Sequence, residues 1–295
     1  MEIAEKVDYY FDKPNEEAYR EILSYLRPDN MLCLLSDKDL KTDKVEKWYG
    51  TQYSYTKTNS SFYNSLFTPS IVPEMFLPEL NEFIPENFRI VPKFGFNDPQ
   101  KIVDNSGEEI YLAQDNQFKR PKVVYSFSID LPLEYSSIKN SVLLDFYIAC
   151  VNESINEISY PARLAWLDYS ITHSSTGISV YVSGYNESAE KLLSKISKHL
   201  NNYDISDERF ENLKAKMLKD FDNHKLTDAW RQTRSIRDEF LKKPYYSPSQ
   251  KLQEGQSVTR DEVRAFSKNI FRNVLLKGLV YGNISRLSAI KEING

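Results

Sequence analysis

The most constraining feature of this chain is a change of hydrophobic period between residues 122 and 158. In the first part apolar and polar residues alternate, and the apolar set is Val123, Tyr125, Phe127, Ile129 and Leu131. This pattern predicts a strand with one buried face. After Pro132 the spacing becomes that of a helix stripe: Leu144, Ile148, Val151, Ile155 and Ile158. Such a switch indicates a sheet covered by a helix. We expect this helix to end at Pro161.

The same criteria predict the other elements. Helices are expected at residues 15–26, 189–203, 210–221 and 260–269, and strands at 31–35, 178–182 and 274–281. A tight turn at residues 174–177 should join two strands. Because hairpins and helices are segregated along the chain, the order predicts an α+β roll, with helices on one face of a largely antiparallel sheet.

Proline spacing suggests where the chain is divided. Between residues 48 and 87 four prolines interrupt any long helix or central strand: Pro69, Pro73, Pro78 and Pro85. The composition stays irregular to about residue 108. We therefore predict a linker at residues 77–108 and a domain at 109–295.

Composition and charge exclude several functions. The net charge of -4 and the pI near 5.6 do not suit a surface that neutralises phosphates, so no nucleic-acid partner is expected. No run of about 18 apolar residues predicts a membrane span. Cys33 and Cys150 cannot form a dense disulfide framework, and the start of the sequence shows no signal peptide. We expect a cytoplasmic protein. Dinucleotide, P-loop and nucleophile-elbow motifs are absent.

Few side chains are candidates for chemistry. His224 and Asp228 are four residues apart and would share one helix face, where a carboxylate could orient an imidazole, although no third ligand or nucleophile accompanies them. His173, in a predicted strand, and His199, near a helix end whose dipole favours positive charge, are expected to be structural.

A basic helix surface is a second candidate. Arg231, Arg234 and Arg237 recur every three residues, with Lys242 and Lys243 beyond them. This surface could attract an anionic ligand or an acidic peptide, but nearby acids favour a solvated helix face. Cys150 lies beside a buried stripe and is expected to behave as a small apolar residue.

Several segments resemble the family of zinc metallopeptidases that includes insulin-degrading enzyme and pitrilysin. The specific matches are WYGTQY at residues 48–53 and LPELNEFIPENF at 77–88. Supporting matches are SGYNES at 183–188, DERFENLK at 207–214 and YGNIS at 281–285. They follow the family's order and span nearly the whole chain.

The resemblance implies a middle portion of a larger peptidase. Family members carry four similar α+β domains in two halves that close around a peptide. Residues 1–76 would be the end of the second domain, 77–108 the linker between halves, and 109–295 the third domain. The remaining domains of the parent polypeptide and peptide substrates are the implied partners.

The resemblance also implies that this portion is not catalytic. The family binds zinc through His-x-x-Glu-His in its first domain, and that motif is absent here. The corresponding helix, SSIKNSVLLDFYIACVNES, has no histidine. Leu143, Leu144 and Phe146 cannot bind zinc, and Asp145 alone cannot hold the ion against water. We therefore expect no catalytic, cofactor-binding or metal residue in this chain, and expect zinc in the parent's catalytic domain.

Two alternatives stay open at this stage. The chain could be a free-standing, inactive family member that acts as a scaffold or peptide-binding subunit. It could also be an unrelated peptide-binding α+β module, if the WYGTQY and NEFIPENF matches are accidental.

Overall fold

The computed structural model describes residues 15–57, 64, 66–68, 70, 72–76, 79–92, 98–115, 117–132, 136–174 and 176–293. The chain divides into two units, Met1–Pro78 and Glu79–Gly295. None of the helices in these described residues is long and apolar enough to cross a bilayer.

The described residues of the first unit contain one α-helix and one short strand pair. Helix α1 (Glu16–Tyr25) begins where the Asn15 side chain accepts a hydrogen bond from the Ala18 amide, as predicted for this helix. Strands β1 (Lys44–Val45) and β2 (Gln52–Tyr53) pair antiparallel. The strand predicted at residues 31–35 is wrong. This segment is exposed and joins neither of the described sheets, so its apolar run has no neighbour to pair with.

The second unit is built on a six-stranded sheet in the order β3-β4-β8-β5-β7-β6. All neighbouring strands are antiparallel except β4 and β8, which are parallel. The bounds are β3 (Gln100–Asp104), β4 (Glu108–Gln114), β5 (Lys122–Asp130), β6 (Asp168–His173), β7 (Gly177–Tyr185) and β8 (Leu275–Gly282). The turn predicted at residues 174–177 joins β6 to β7, where the Ser174 amide donates to the Gly177 carbonyl.

Seven helices accompany this sheet in the described part of the second unit: α2 (Ile138–Leu164), α3 (Asn186–Asn201), α4 (Asp207–Asn223), α5 (Ala229–Leu241), α6 (Pro248–Gly255), α7 (Arg260–Ile270) and α8 (Arg286–Ile293). Hydroxyl side chains cap α2, α4, α6 and α7 at Ser137, Ser206, Ser247 and Thr259. In α6 and α7 the cap is reciprocal, since Gln250 and Glu262 bond back to the cap backbone. The predicted α+β roll is confirmed.

Strand register separates a buried face of the sheet from an open one. Tyr125 lies opposite Val280 on one side and Val182 on the other, and all three are buried. They belong to the hydrophobic core, in which residues of α2 and α3 such as Phe146 and Leu192 are also buried. Because side chains alternate along a strand, the residues between them lie on the opposite face.

Helix α2 does not end at Pro161, contrary to the prediction. The helix continues to Leu164 with Pro161 inside it. Proline removes one backbone donor, but its φ is compatible with a helix. The turn that follows is anchored by Ala162, which is fully buried, and by a bond from the Ala165 amide to the Pro161 carbonyl. Tertiary burial thus outweighs the local cost.

Side-chain amides fasten residues 79–92 to the rest of the second unit. The Asn81 amide donates to the Pro161 carbonyl at 2.8 Å, and Phe83 beside it is buried. Asn283 accepts from the Val91 amide at 2.7 Å and donates to the Arg89 carbonyl at 2.9 Å. These residues and β3 fall within the range predicted as linker. The division into segments 1–76, 77–108 and 109–295 stays a prediction.

Candidate functional site

The most promising cavity lies where three parts of the second unit meet. The first half of α2, the β6–β7 turn and the connection from α5 to α6 enclose about 450 Å³. This size suits a small-molecule ligand. Its described polar lining includes Asp145, His173, three lysines and several hydroxyl groups. Its apolar lining includes Leu131, Leu144, Pro244 and two tyrosines, Tyr245 and Tyr246.

Asp145 is the centre of a partly buried ionic cluster beside this cavity. One carboxylate oxygen is 2.6 Å from His173 Nδ1, and the other is 2.7 Å from Lys251 Nζ. Only 15% of the Asp145 side chain and 19% of the Lys251 side chain are exposed. Burial raises the pKa of Asp145, but the hydrogen bond from His173 and the positive charge of Lys251 outweigh burial and hold this pKa below its usual value. The carboxylate is therefore ionised at neutral pH.

The described lining of the cavity carries more positive than negative charge. Three lysines line it, Lys242, Lys243 and Lys251, against the single carboxylate of Asp145. Lys242 is paired with Asp238, and Lys251 with Asp145. Lys243 is exposed, and its ammonium group has no carboxylate partner in the described part of the chain. The cavity therefore offers an uncompensated cation beside apolar walls.

The α2 helix does not suit a zinc ion. Both oxygens of Asp145 are already engaged by His173 and Lys251, and its neighbours Leu144 and Phe146 have no donor atom. No group of three or more His, Cys, Asp or Glu side chains is placed to share a metal within the described residues. A metal would have to displace Lys251 and recruit further ligands, so no catalytic step is assigned here.

The open face of the sheet is a second candidate surface. A row of side chains crosses it from β4 to β6: Tyr111, Leu279, Ser126, Tyr181 and Ser170. A neighbouring row consists of Ala113, Tyr281, Val124, Ser183 and Asp168. Leu279 and Tyr281 are 38% and 39% exposed. Aromatic, aliphatic and hydroxyl groups thus alternate on a surface that can contact an extended peptide through apolar and hydrogen-bonding groups.

The His224 and Asp228 prediction is wrong in its geometry. His224 lies in a short 3-10 turn (His224–Leu226), and Asp228 is the residue before α5. They do not share a helix face, because the chain changes direction between α4 and α5. Asp228 is exposed, and its side chain does not cap α5.

The other predicted histidines differ in their surroundings. His173 ends β6, as expected for a strand residue, and takes part in the Asp145 cluster. His199 is in the last turn of α3, where Ser154 Oγ is 2.9 Å from its Nδ1. Burial, together with the charge of Lys195, lowers the pKa of His199. Desolvation thus disfavours the charged form of His199, which the carboxyl end of a helix would otherwise favour.

The arginine surface and the cysteine behave as predicted. Arg231, Arg234 and Arg237 are all exposed on α5, and Arg237 pairs with Asp238 at 2.5 Å. This is a solvated helix face. Cys150 is fully buried, and burial raises the pKa of its thiol to about 12. It behaves as a small apolar residue.

Sequence reasoning missed the residues that complete the cavity. Lys251 and the Tyr245–Tyr246 pair are separated from Asp145 by about 100 residues, and only the fold brings them together. The local signal was the cluster of lysines, proline and tyrosines in KKPYYSPS, which reads as an irregular connection after α5.

Comparison with known proteins identifies the family. The family model described as "Middle or third domain of peptidase_M16" matches residues 4–254. The chain is 27% identical over 269 residues to A-factor-processing enzyme of Saccharomyces cerevisiae, covering 90% of this chain and 26% of that protein. It is 26% identical over 287 residues to human insulin-degrading enzyme, and this match covers 96% of this chain and 28% of that protein.

A solved structure agrees in fold. Pitrilysin matches with a TM-score of 0.74 and 20% identity, over 96% of this chain and 30% of that one. The chain spans less than a third of the length of each of these proteins. The chain belongs to the M16 peptidase family and matches the middle domain of its members. The predicted resemblance is therefore confirmed, and the alternative of an unrelated α+β module is excluded.

Proposed function

We propose that this chain is the non-catalytic middle portion of an insulinase-like zinc metalloendopeptidase. In this proposal the open face of its sheet forms part of the wall of the peptide chamber. Residues 77–108 connect the two halves of the parent, and the part of this range that is bonded to the second unit moves with that unit when the halves open. Zinc and the catalytic residues lie in another domain, because the His-x-x-Glu-His motif is absent from this sequence.

The observation that carries the proposal is the one-sided burial of the sheet within a chain that matches the middle domain of this family. Tyr125, Val182 and Val280 are buried under helices, whereas Leu279 and Tyr281 on the other side are exposed. A wall of this kind excludes bulk water and limits substrate size without taking part in bond cleavage.

Exposed apolar residues of the first unit support assignment to a larger protein. Leu32, Leu34 and Tyr49 are 81%, 88% and 92% exposed, and Trp48 in the WYGTQY motif is 80% exposed. Large apolar side chains that are exposed to this degree indicate an interaction site. We propose that other domains of the parent cover it.

The first experiment tests whether this portion lacks activity. The purified 295-residue chain, supplied with zinc, should not hydrolyse a fluorogenic peptide above the rate of a buffer blank. Turnover that a chelator abolishes would overturn the proposal.

The second experiment tests the chamber wall in the full-length parent. Tyr181→Ala, on the open face, should raise KM for a long peptide several-fold and leave kcat for a short fluorogenic peptide unchanged. Lys219→Ala, an exposed change on α4, is the matched control and should change neither constant. Equal effects of both variants, or none from Tyr181→Ala, would contradict a wall at this face.

A further inference from the structure

We infer that the cavity beside Asp145 is a binding site for a small organic carboxylate that carries an apolar group. This inference goes beyond the proposed function and does not depend on it, because the cavity lies wholly within the second unit. It assigns a ligand class to a cluster of partly buried charges that the proposed function leaves without a role.

The charges of the described lining favour an anion. Asp145 accepts from both His173 and Lys251, so its negative charge is compensated inside the cluster. Lys242 is compensated by Asp238. Lys243 remains as the uncompensated cation of the described lining. An ammonium group beside low-dielectric walls attracts a carboxylate more strongly than the same group in open water.

The cluster also keeps the cavity rigid. His173 is held by Asp145 at the end of β6, and Lys251 is fixed from α6 to the same carboxylate. On the α5–α6 connection, Tyr245 Oη is 2.5 Å from Ser235 Oγ, and Tyr246 Oη donates to the Ser136 carbonyl. The walls are therefore positioned before a ligand arrives, which lowers the entropic cost of binding.

The apolar lining selects the rest of the ligand. Leu131, Leu144 and Pro244, with the Tyr245 and Tyr246 side chains, form walls against which an aliphatic or aromatic group can pack. Hydroxyl groups of Ser141, Ser174 and Thr176 also line the cavity. A carboxylate joined to an apolar group matches this arrangement, whereas inorganic phosphate would leave the apolar walls hydrated.

The binding test uses the 295-residue chain and isothermal titration calorimetry at low salt. N-acetylphenylalanine should bind saturably, and its amide, which has the same shape without the charge, should bind at least tenfold more weakly. Acetate and inorganic phosphate should also bind at least tenfold more weakly. Equal binding of the acid and the amide, or phosphate binding as tightly as the acid, would overturn the assignment.

Two variants locate the ligand. Lys243→Ala removes an exposed side chain that has no ion pair with any described residue, and it should weaken N-acetylphenylalanine binding about tenfold without changing the melting temperature. Lys219→Ala, an exposed lysine of α4 outside the cavity, should leave the affinity unchanged. If Lys243→Ala binds as wild type does, the ligand is not in this cavity.

A final comparison distinguishes the source of the carboxylate. A tetrapeptide ending in phenylalanine is titrated with a free and with an amidated C-terminus. Binding of the free form shows that the cavity accepts a peptide terminus. Binding of N-acetylphenylalanine alone shows a site for a free small acid, and both results support the carboxylate assignment.

Discussion

Glu292 is an acid in an unfavourable position for its charge. It lies on α8 and accepts a hydrogen bond from Tyr125 of β5, with Glu190 of α3 and Lys291 of its own helix nearby. Burial raises the pKa of Glu292 to about 7, and the negative charge of Glu190 adds to this effect. The folded protein therefore favours the protonated form of Glu292.

This raised pKa predicts a pH dependence of stability. Between about pH 4.5 and 7 the folded protein holds a proton on Glu292 that the unfolded chain has released. The contribution of Glu292 to stability is therefore fully present below pH 4.5 and is lost as pH rises to 7. Glu292→Gln should remove this dependence and stabilise the protein at pH 8 by on the order of 1 kcal/mol, after allowance for solvent screening.

The measurement is urea unfolding of both proteins from pH 4.5 to 8, and the quantity of interest is the difference between them, since other groups titrate in the same range. Glu239→Gln, on the exposed side of α5, is the control for the loss of one carboxylate. A difference for Glu292→Gln that is constant with pH would contradict the raised pKa of Glu292.

At the level of residues, the sequence predicted whether a side chain is buried, but it did not predict which side chains it contacts. The burial of Cys150 followed from its place beside a helix stripe, because periodicity is a local signal. The pairing of Asp145 with His173 and Lys251 could not be predicted, because those contacts join residues 28 and 106 positions apart. The prediction for His224 and Asp228 was wrong for a related reason. Their spacing places them on one helix face only if a single helix spans both residues, and α4 ends at Asn223.

At the level of elements, Asn283 fastens the segment before the sheet. Its side chain accepts a hydrogen bond from the Val91 amide and donates one to the Arg89 carbonyl. Its backbone N–H donates to the Lys122 carbonyl at 2.8 Å. Asn283 is only 4% exposed. One side chain therefore completes the backbone hydrogen bonding of a stretch that has no strand partner of its own.

Asn283→Ala should loosen this segment. Two side-chain hydrogen bonds are lost and the Val91 donor is left unsatisfied, so the free energy of unfolding should fall by about 1–3 kcal/mol. Hydrogen exchange followed by mass spectrometry should show faster exchange at residues 89–92 than at β5. Asn201→Ala, at the exposed end of α3, is the control. Unchanged exchange in the Asn283 variant would show that other contacts hold the segment.

The helices and strands of the second unit that the sequence predicts are those whose periodicity is long and regular, whereas β3, β4, α6 and α8 were not predicted. Strand β5 and helices α3, α4 and α7 lie within a few residues of their predicted bounds. The failures are instructive in physical terms. Residues 31–35 are apolar but have no pairing partner, and α2 passes through Pro161 because burial of Ala162 holds its last turn. Both outcomes depend on tertiary contacts.

At the level of the whole molecule, the two units should differ in their importance for stability. Residues 79–295 contain the six-stranded sheet and its core, whereas residues 1–78 contain two strands of two residues each among their described elements. A chain starting at residue 79 should therefore melt within a few degrees of the full chain.

A chain ending at residue 273 should not fold cooperatively, although it loses fewer residues, because it lacks β8. The measurement for both truncations is thermal unfolding followed by circular dichroism. A cooperative transition in the chain that ends at residue 273 would contradict the central role given to β8.

The position of β8 also determines when this fold can form. It is the last strand of the sheet along the chain, yet it lies between β4 and β5 and bonds to both. During synthesis on the ribosome, the β3–β4 pair and the β5–β6–β7 group therefore cannot join into one sheet until residue 282 has left the exit tunnel. Such late, long-range closure slows folding and leaves strand edges exposed to other nascent chains.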